Sequence, residues 1–177
     1  QVWNRMDNQT VLVQIQAAFP DTITGIDERH GDLKLRIPRE SLLAMMQWLR
    51  DHAELQYTFL ESVTGVDYLG REPRFEVVYH LFSFRHFHRL CLKVGAPEAD
   101  PVVPSLTGLF PTANWQEREA YDLLGIEFSD HPALQRILMP DDWIGHPLRK
   151  DVPLGYEEVA FTFNQDRIYA HKPFAKE

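Results

Sequence analysis

The sequence predicts an α+β fold: a two-layer sandwich of a mixed sheet with helices on one face, followed by a long extended C-terminal arm. Three observations predict it. Apolar residues recur at helical spacing in two early segments, and alternating runs joined by tight turns read as strands. From residue 126 onward, prolines interrupt an apolar stretch that has no period of its own. The chain therefore divides into a globular domain, residues 1–125, and an arm, residues 126–177.

Asp7 to Phe19 reads as a first helix, with Leu12, Ile15 and Phe19 on one stripe and Pro20 just past its end. Thr22–Glu28 and Asp32–Ile37 read as strands around a His30-Gly31-Asp32 turn; in the second, Leu33, Leu35 and Ile37 alternate with Lys34 and Arg36. Pro38 closes that strand. Arg39 to His52 is the clearest helix, with Leu42, Met45, Met46 and Leu49 at i, i+3, i+4 and i+7. Its two methionines are assigned to core packing, since nothing beside them would hold a ligand.

Tyr57–Tyr68 is a long strand with Gly65 as an expected bulge or bend. Arg74–Phe84 and Arg89–Val94 form an expected hairpin turning near His86-Phe87. Ala96 to Pro104 reads as a Pro- and acid-rich loop, and Ser105–Phe110 as a helical turn. Next comes a charged helix, with Asn114 as N-cap, Glu117 completing a capping box and Gly125 at the left-handed C-terminal position. Beyond it Pro132, Pro140, Pro147 and Pro153 forbid a continuing helix. Ile126, Phe128, Leu134, Ile137, Leu138, Met139, Trp143, Ile144 and Leu148 nevertheless make the segment apolar, so it needs a surface to lie on. Farther on, Val159, Phe161 and Phe163 alternate with small or polar residues, the pattern of a short strand or of β-addition to a partner.

With 177 residues the chain can bury a sizeable core. A formal net charge of −8 argues against a nucleic-acid binder and against direct adhesion to anionic lipid. No stretch approaches the ~20 apolar residues of a membrane span, so membrane contact is expected only through other proteins. Cys91 is the single cysteine; it is read as a small hydrophobe in a strand, and it leaves neither an intramolecular disulfide nor a cysteine-held iron–sulfur cluster. The chain opens on Gln1 rather than methionine and is read as trimmed, so no targeting signal is inferred.

Candidate chemistry is sparse. His86 and His88 would share one side of a strand, and with His80 or His131 could offer three imidazoles to a metal, but no diagnostic spacing completes the set. A stand-alone metallo-hydrolase using His86, His88 and His131 is therefore the alternative, not the leading reading. Glu117, Glu119 and Asp122 raise the prospect of paired carboxylates, against which stand a solvated helix face and a local Arg118–Asp122 ion pair. His146, Arg149 and Lys150 have no glycine-rich cradle to make them an anion site. No dinucleotide fingerprint or Walker loop occurs, so neither catalytic nor cofactor-binding residues are assigned to this chain.

The run EREAYDLLGIEFSDHPALQRILMPDDWIGHPLRKDVP closely resembles the signature region of NuoC, the thirty-kilodalton subunit of NADH:quinone oxidoreductase, respiratory complex I. The resemblance rests on Glu117-Arg118-Glu119 with Asp122-Leu123-Leu124-Gly125, on Gly145-His146-Pro147-Leu148-Arg149-Lys150-Asp151, and on His131-Pro132 and Arg136 to Pro140 between them. Gln135 departs from a usually basic position and Val152 from a commonly aromatic one. The resemblance implies a cofactor-free structural subunit of the peripheral, quinone-module arm of a proton-pumping enzyme, whose FMN, iron–sulfur clusters and quinone belong to the assembled complex.

It also implies that the chain braces the large quinone-site subunit (D in the family's lettering), near the cluster-bearing B and I subunits. The site of action would be the cytoplasmic face of a bacterial membrane or the matrix side of the mitochondrial inner membrane. The equivalent subunit of a hydrogenase or ferredoxin-fed complex is the close alternative. On this reading Glu117, Arg118, Glu119, Asp122, His131, Pro132, Arg136, Trp143, His146, Pro147, Leu148, Arg149, Lys150 and Asp151 form the partner interface. Pro147 would fix the backbone, Leu148 fill a pocket and Arg149 grip a partner carboxylate.

Overall fold

The computed structural model describes residues 6–152. The expected alternating strand around Val159–Phe163 lies outside the described residues. Helix α1 spans Asn8–Ala18, and Asp7 caps it by accepting from the Thr10 amide at 2.7 Å. Strands β1 (Gly25–Asp27) and β2 (Leu33–Ile37) follow, then a 3-10 turn and helix α2 (Leu42–Asp51), whose Leu42, Met45, Met46 and Leu49 are all fully buried. Strands β3 (Phe59–Asp67), β4 (Phe75–Ser83) and β5 (His88–Ala96) complete a five-stranded sheet of order β1-β2-β5-β4-β3. Only β2 and β5 run parallel; the other neighbours are antiparallel, so the sheet is mixed.

Register aligns the core. Leu35 pairs with Leu92, Leu92 with Tyr79 and Tyr79 with Val63, so one row of buried side chains crosses four strands. Because side chains alternate along a strand, Lys34, Arg36 and Lys93 fall on the opposite face. Cys91 shares that face, yet is only 4% exposed, and burial pushes its thiol up to about 11, as suits an inert packing residue.

The remaining elements are β6 (Val102–Pro104), α3 (Ala113–Leu124) and β7 (Glu127–Ser129), with β6 and β7 pairing in parallel. The segment expected to be loop up to Pro104 thus ends in a strand, whose partner lies on the far side of α3. The expected Asn114 cap is also corrected. Thr112 holds the cap position without a side-chain bond, Asn114 lies inside the first turn, and Glu117 turns away to the Ser105–Phe110 turn. That turn does form, closed by Leu109 and Phe110 amides on the Leu106 carbonyl.

Gly65 is not the bulge; the irregularity in β3 falls between Leu60 and Ser62. Its task is clearance. A Cβ at Gly65 would sit 2.5 Å from Leu124 Cδ1 and 2.9 Å from Ile126 Cδ1, so only glycine lets α3 lie this close to β3. The same contact shows that the core continues past Gly125, where the sequence reading divides the chain: Ile126 and Phe128 are buried in it.

Candidate functional site

Residues 130–152 contain no helix or strand, yet they lie over α3 and the end of β3 in a defined path. Side chains hold that path by bonding backbone. Asp122, wholly buried near the C-terminus of α3, is the main anchor. Its Oδ2 accepts from three successive amides, Ile137 at 3.0 Å, Leu138 at 2.8 Å and Met139 at 2.9 Å. Its Oδ1 takes the Arg136 guanidinium at 2.6 Å. Burial alone would raise this carboxyl, but the three amides and Arg136 outweigh it and hold Asp122 down at about 2.

Arg136 extends the clamp, donating onward to the carbonyls of Trp143 and Gly145. Arg118 donates to the carbonyls of Gln135 and Arg136 and stacks over Trp115, with no ion pair to Asp122. Two further side chains close the end of α3. His146 donates from Nδ1 to the Asp122 carbonyl at 2.9 Å, and Arg149 donates to the Leu124 carbonyl at 2.6 Å while lying over the Phe75 ring. A cation at the carbonyl end of a helix is favourable to the helix dipole. Gly125, left-handed at φ 72°, leaves the room these two need: a Cβ there would stand 2.4 Å from Arg149 Nη2 and 2.5 Å from His146 Cδ2.

The last turn is tied to the sheet. Asp67 and Arg74, at the facing ends of β3 and β4, form a buried double hydrogen bond, 2.9 Å for each contact. Arg74 also reaches Glu98 and, at 3.0 Å, Asp151, while the Lys150 amide donates to Asp67 Oδ2 at 2.8 Å. Sequence reasoning passed over Asp67 and Arg74. The signal available was an acid and a base placed symmetrically about the Tyr68–Pro73 turn, where cross-strand neighbours of opposite charge meet.

At the other end of α3, Glu117 is equally buried but differently supplied. It accepts from the Ser105 hydroxyl at 2.6 Å and the Leu106 amide at 2.7 Å. Desolvation outweighs those two bonds and lifts it to about 7. His131 Nε2 stands 4.0 Å away and donates to the Asn114 carbonyl. The two carboxyls are thus pushed apart, the pattern of acid–base pairs. All four of their oxygens, however, are engaged by the chain itself.

The structure gathers Glu117, Arg118, Asp122, His131, Arg136, Trp143, His146, Arg149, Lys150 and Asp151 into this strap and its supports. Glu119 and Pro132 remain exposed beside it, Pro147 is half-buried and Leu148 is 60% exposed. Two expectations change. A solvated Glu117–Asp122 face fails because both carboxyls are buried. The Arg149 guanidinium, expected on a partner carboxylate, is spent on carbonyls of its own chain. The large apolar side chains exposed along the strap are Leu138, Leu148, Val152 and above all Ile144, at 95% exposure.

The histidine alternative loses its geometry. His86 bonds the Glu54 carbonyl, His88 bonds Tyr57 and Asn8, and His131 bonds Asn114. No group of three or more potential metal ligands occurs among the described residues. Nor is any helix among them long and apolar enough to cross a membrane.

The sequence that builds this α+β domain and its strap matches components of NADH-quinone oxidoreductases. The family described as "Respiratory-chain NADH dehydrogenase, 30 Kd subunit" matches residues 35–158. The C subunit of the NADH-quinone oxidoreductase of Roseiflexus castenholzii is 64% identical over 172 residues, covering 97% of this chain and 99% of the relative. That of Herpetosiphon aurantiacus is 58% identical over 172 residues, with the same coverage, 97% and 99%. Among solved structures, the trypsin-resistant fragment (1-134) of Nqo5 superposes with a TM-score of 0.62 at 34% identity, covering 73% of this chain and 100% of the fragment. The archaeal membrane-bound sulfane sulfur reductase complex offers a chain with a TM-score of 0.72 at 19% identity, covering 96% of this chain and 95% of its own, a likeness of fold alone. The chain belongs to the 30 Kd subunit family of the respiratory-chain NADH dehydrogenase, and so to a multisubunit oxidoreductase complex.

Proposed function

We propose that this chain is the cofactor-free structural and assembly subunit of the peripheral, quinone-module arm of a proton-pumping NADH:quinone oxidoreductase. There it braces the large quinone-site subunit, near the cluster-bearing B and I subunits. FMN, iron–sulfur clusters and quinone then reside elsewhere in the complex, and membrane contact is made through those other components, on the cytoplasmic face in a bacterium. One observation carries the reading. Asp122, Arg136 and Arg149 spend their polar groups holding the strap, and the strap in turn presents Leu138, Ile144 and Leu148 to solvent. Fixing an irregular segment before binding removes ordering cost from the association step, and exposed aliphatic side chains on such a frame are suited to be anchors.

The name of the Nqo5 fragment supports a division between body and arm, since a trypsin-resistant piece of that relative aligns with 73% of this chain. The identity to relatives named for NADH-quinone oxidoreductase favours that complex over the hydrogenase or ferredoxin-fed alternative. The test is co-purification of a tagged homologue of the large quinone-site subunit with the double variant Ile144→Ser, Leu148→Ser. Both residues are more than half exposed, so folding should be unchanged within about 0.5 kcal/mol while recovery of the pair falls at least about tenfold. Full recovery of the pair would overturn the reading.

A further inference from the structure

The sheet has a second surface, on the side away from the helices. There a shallow bay of about 460 Å³ is lined by Arg29, Lys34, Arg36, Arg71 and Lys93, with Asp27 at its rim. Strand alternation puts them there: Lys34 and Arg36 alternate with the buried Leu33, Leu35 and Ile37, and Arg36 pairs in register with Lys93. Beneath them Glu76, only 4% exposed, accepts from Arg36 at 2.9 Å and Lys93 at 3.1 Å. Arg29 is matched by Asp27 at 2.6 Å.

Five cations thus meet two carboxylates, a surplus of three, in a chain whose net charge is −8. Asp32, just before β2 and two residues from Lys34, stands beside Arg89. Two of the five cations form no ion pair with a carboxylate among the described residues. Lys34 Nζ donates to the Arg29 carbonyl, at 3.1 Å, and Arg71 lies 5.0 Å over the Tyr68 ring. Arg71 is thus held in position without a carboxylate, while Lys34 stands across the strand pair from Asp27 and shares that carboxylate's field with Arg29.

We infer that this bay docks an acidic segment of a neighbouring subunit, whose Asp or Glu carboxylates pair with Arg71 and Lys34. The inference rests on membership of a multisubunit complex and is independent of the strap. Charge complementarity favours carboxylates: guanidinium groups bind them in pairs of parallel bonds, and a partner segment brings several at once. A nucleotide finds less here, because the one ring in the lining, Tyr68, is already covered by Arg71. Nucleic acid or an anionic membrane would meet repulsion from the rest of this acidic chain.

The test uses the intact complex. A water-soluble carbodiimide joins amines to carboxylates with no spacer, so Lys34 is expected to appear in a cross-linked peptide with an Asp or Glu of another subunit. The double variant Lys34→Glu, Arg71→Glu, which breaks no ion pair seen here, should weaken retention of the chain in the complex about tenfold at low ionic strength, with less effect at high salt. Its far-UV circular dichroism should match the parent. Cross-links of Lys34 confined to this chain, or retention of the variant equal to the parent, would overturn the inference. So would binding of the isolated chain to phosphatidylglycerol vesicles that the double variant abolishes, which would make the bay a lipid site. Loss of assembly in the Ile144 and Leu148 variants would leave this result unaffected, since the cross-link is read in the unaltered complex.

Discussion

The body of this protein and its strap are specified by different physics. In the body, apolar side chains at helical or strand spacing bury themselves, each aliphatic residue contributing about 1.5–3 kcal/mol through removal from water. In the strap, residues 130–152, the described apolar side chains are half-buried or exposed, and position is dictated by charged side chains bonding backbone amides and carbonyls. The body tolerates variation in which apolar residue fills a place, because burial is non-directional. The strap cannot, because a hydrogen bond has a direction and an orphaned buried partner is costly. The dense signature of acidic and basic residues in this segment is the outcome of that second kind of specification.

Substitutions sharpen the contrast. The largest effect is expected for Arg74→Met, which leaves the buried Asp67 carboxylate uncompensated and releases Asp151; chemical denaturation should show a loss of about 4 kcal/mol. Asp122→Ala removes the acceptor of three amides and Arg136, at a cost of about 3 kcal/mol, with the strap opening before the body unfolds.

Glu117 and Asp122 should respond oppositely to pH. Glu117 is raised from 4.5 to about 7, so its contribution is fully present below pH 4.5 and is lost as pH rises through 7. Asp122 is lowered from 3.8 to about 2, so its contribution is present above pH 3.8 and is lost as pH falls through 2. Glu117→Gln should therefore flatten the stability profile between pH 4.5 and 7, and at pH 8 it should exceed the parent by roughly 2–3 kcal/mol. A parent profile with no slope in that window would contradict the assignment. The smallest effect belongs to Arg149→Met, about 1–1.5 kcal/mol from lost carbonyl bonds at the end of α3, measurable as a lower thermal midpoint.

What the sequence made legible follows the same line. Helix α2 could be read from its stripe at i, i+3, i+4 and i+7, and β2 from strict alternation, because burial leaves a periodic trace. Gly125 was readable as a helix terminator from local chemistry. Strands β6 and β7 were not, since three residues are too few for a period and Pro101 and Pro104 mimic a loop. The fate of Glu117 was hidden for another reason: at a capping-box spacing it looks local, while its partners Ser105 and Leu106 sit in a turn that no periodicity links to α3. Asp122 likewise meets amides 15 to 17 residues away. The motif resemblance singled out this segment but could not reveal that Arg136, His146 and Arg149 bond backbone carbonyls and a carboxylate of their own chain.

Native-state hydrogen exchange of the isolated chain tests the central claim most directly, read at the amides of Ile137, Leu138 and Met139. If Asp122 pre-forms the strap, these three exchange well below the rate of an unstructured peptide, and Asp122→Ala abolishes their protection while the amides of β4 and β5 remain slow. Exchange of the three at unstructured-peptide rates in the parent would mean that the strap does not hold without a partner, and the account of a pre-formed docking frame would fall.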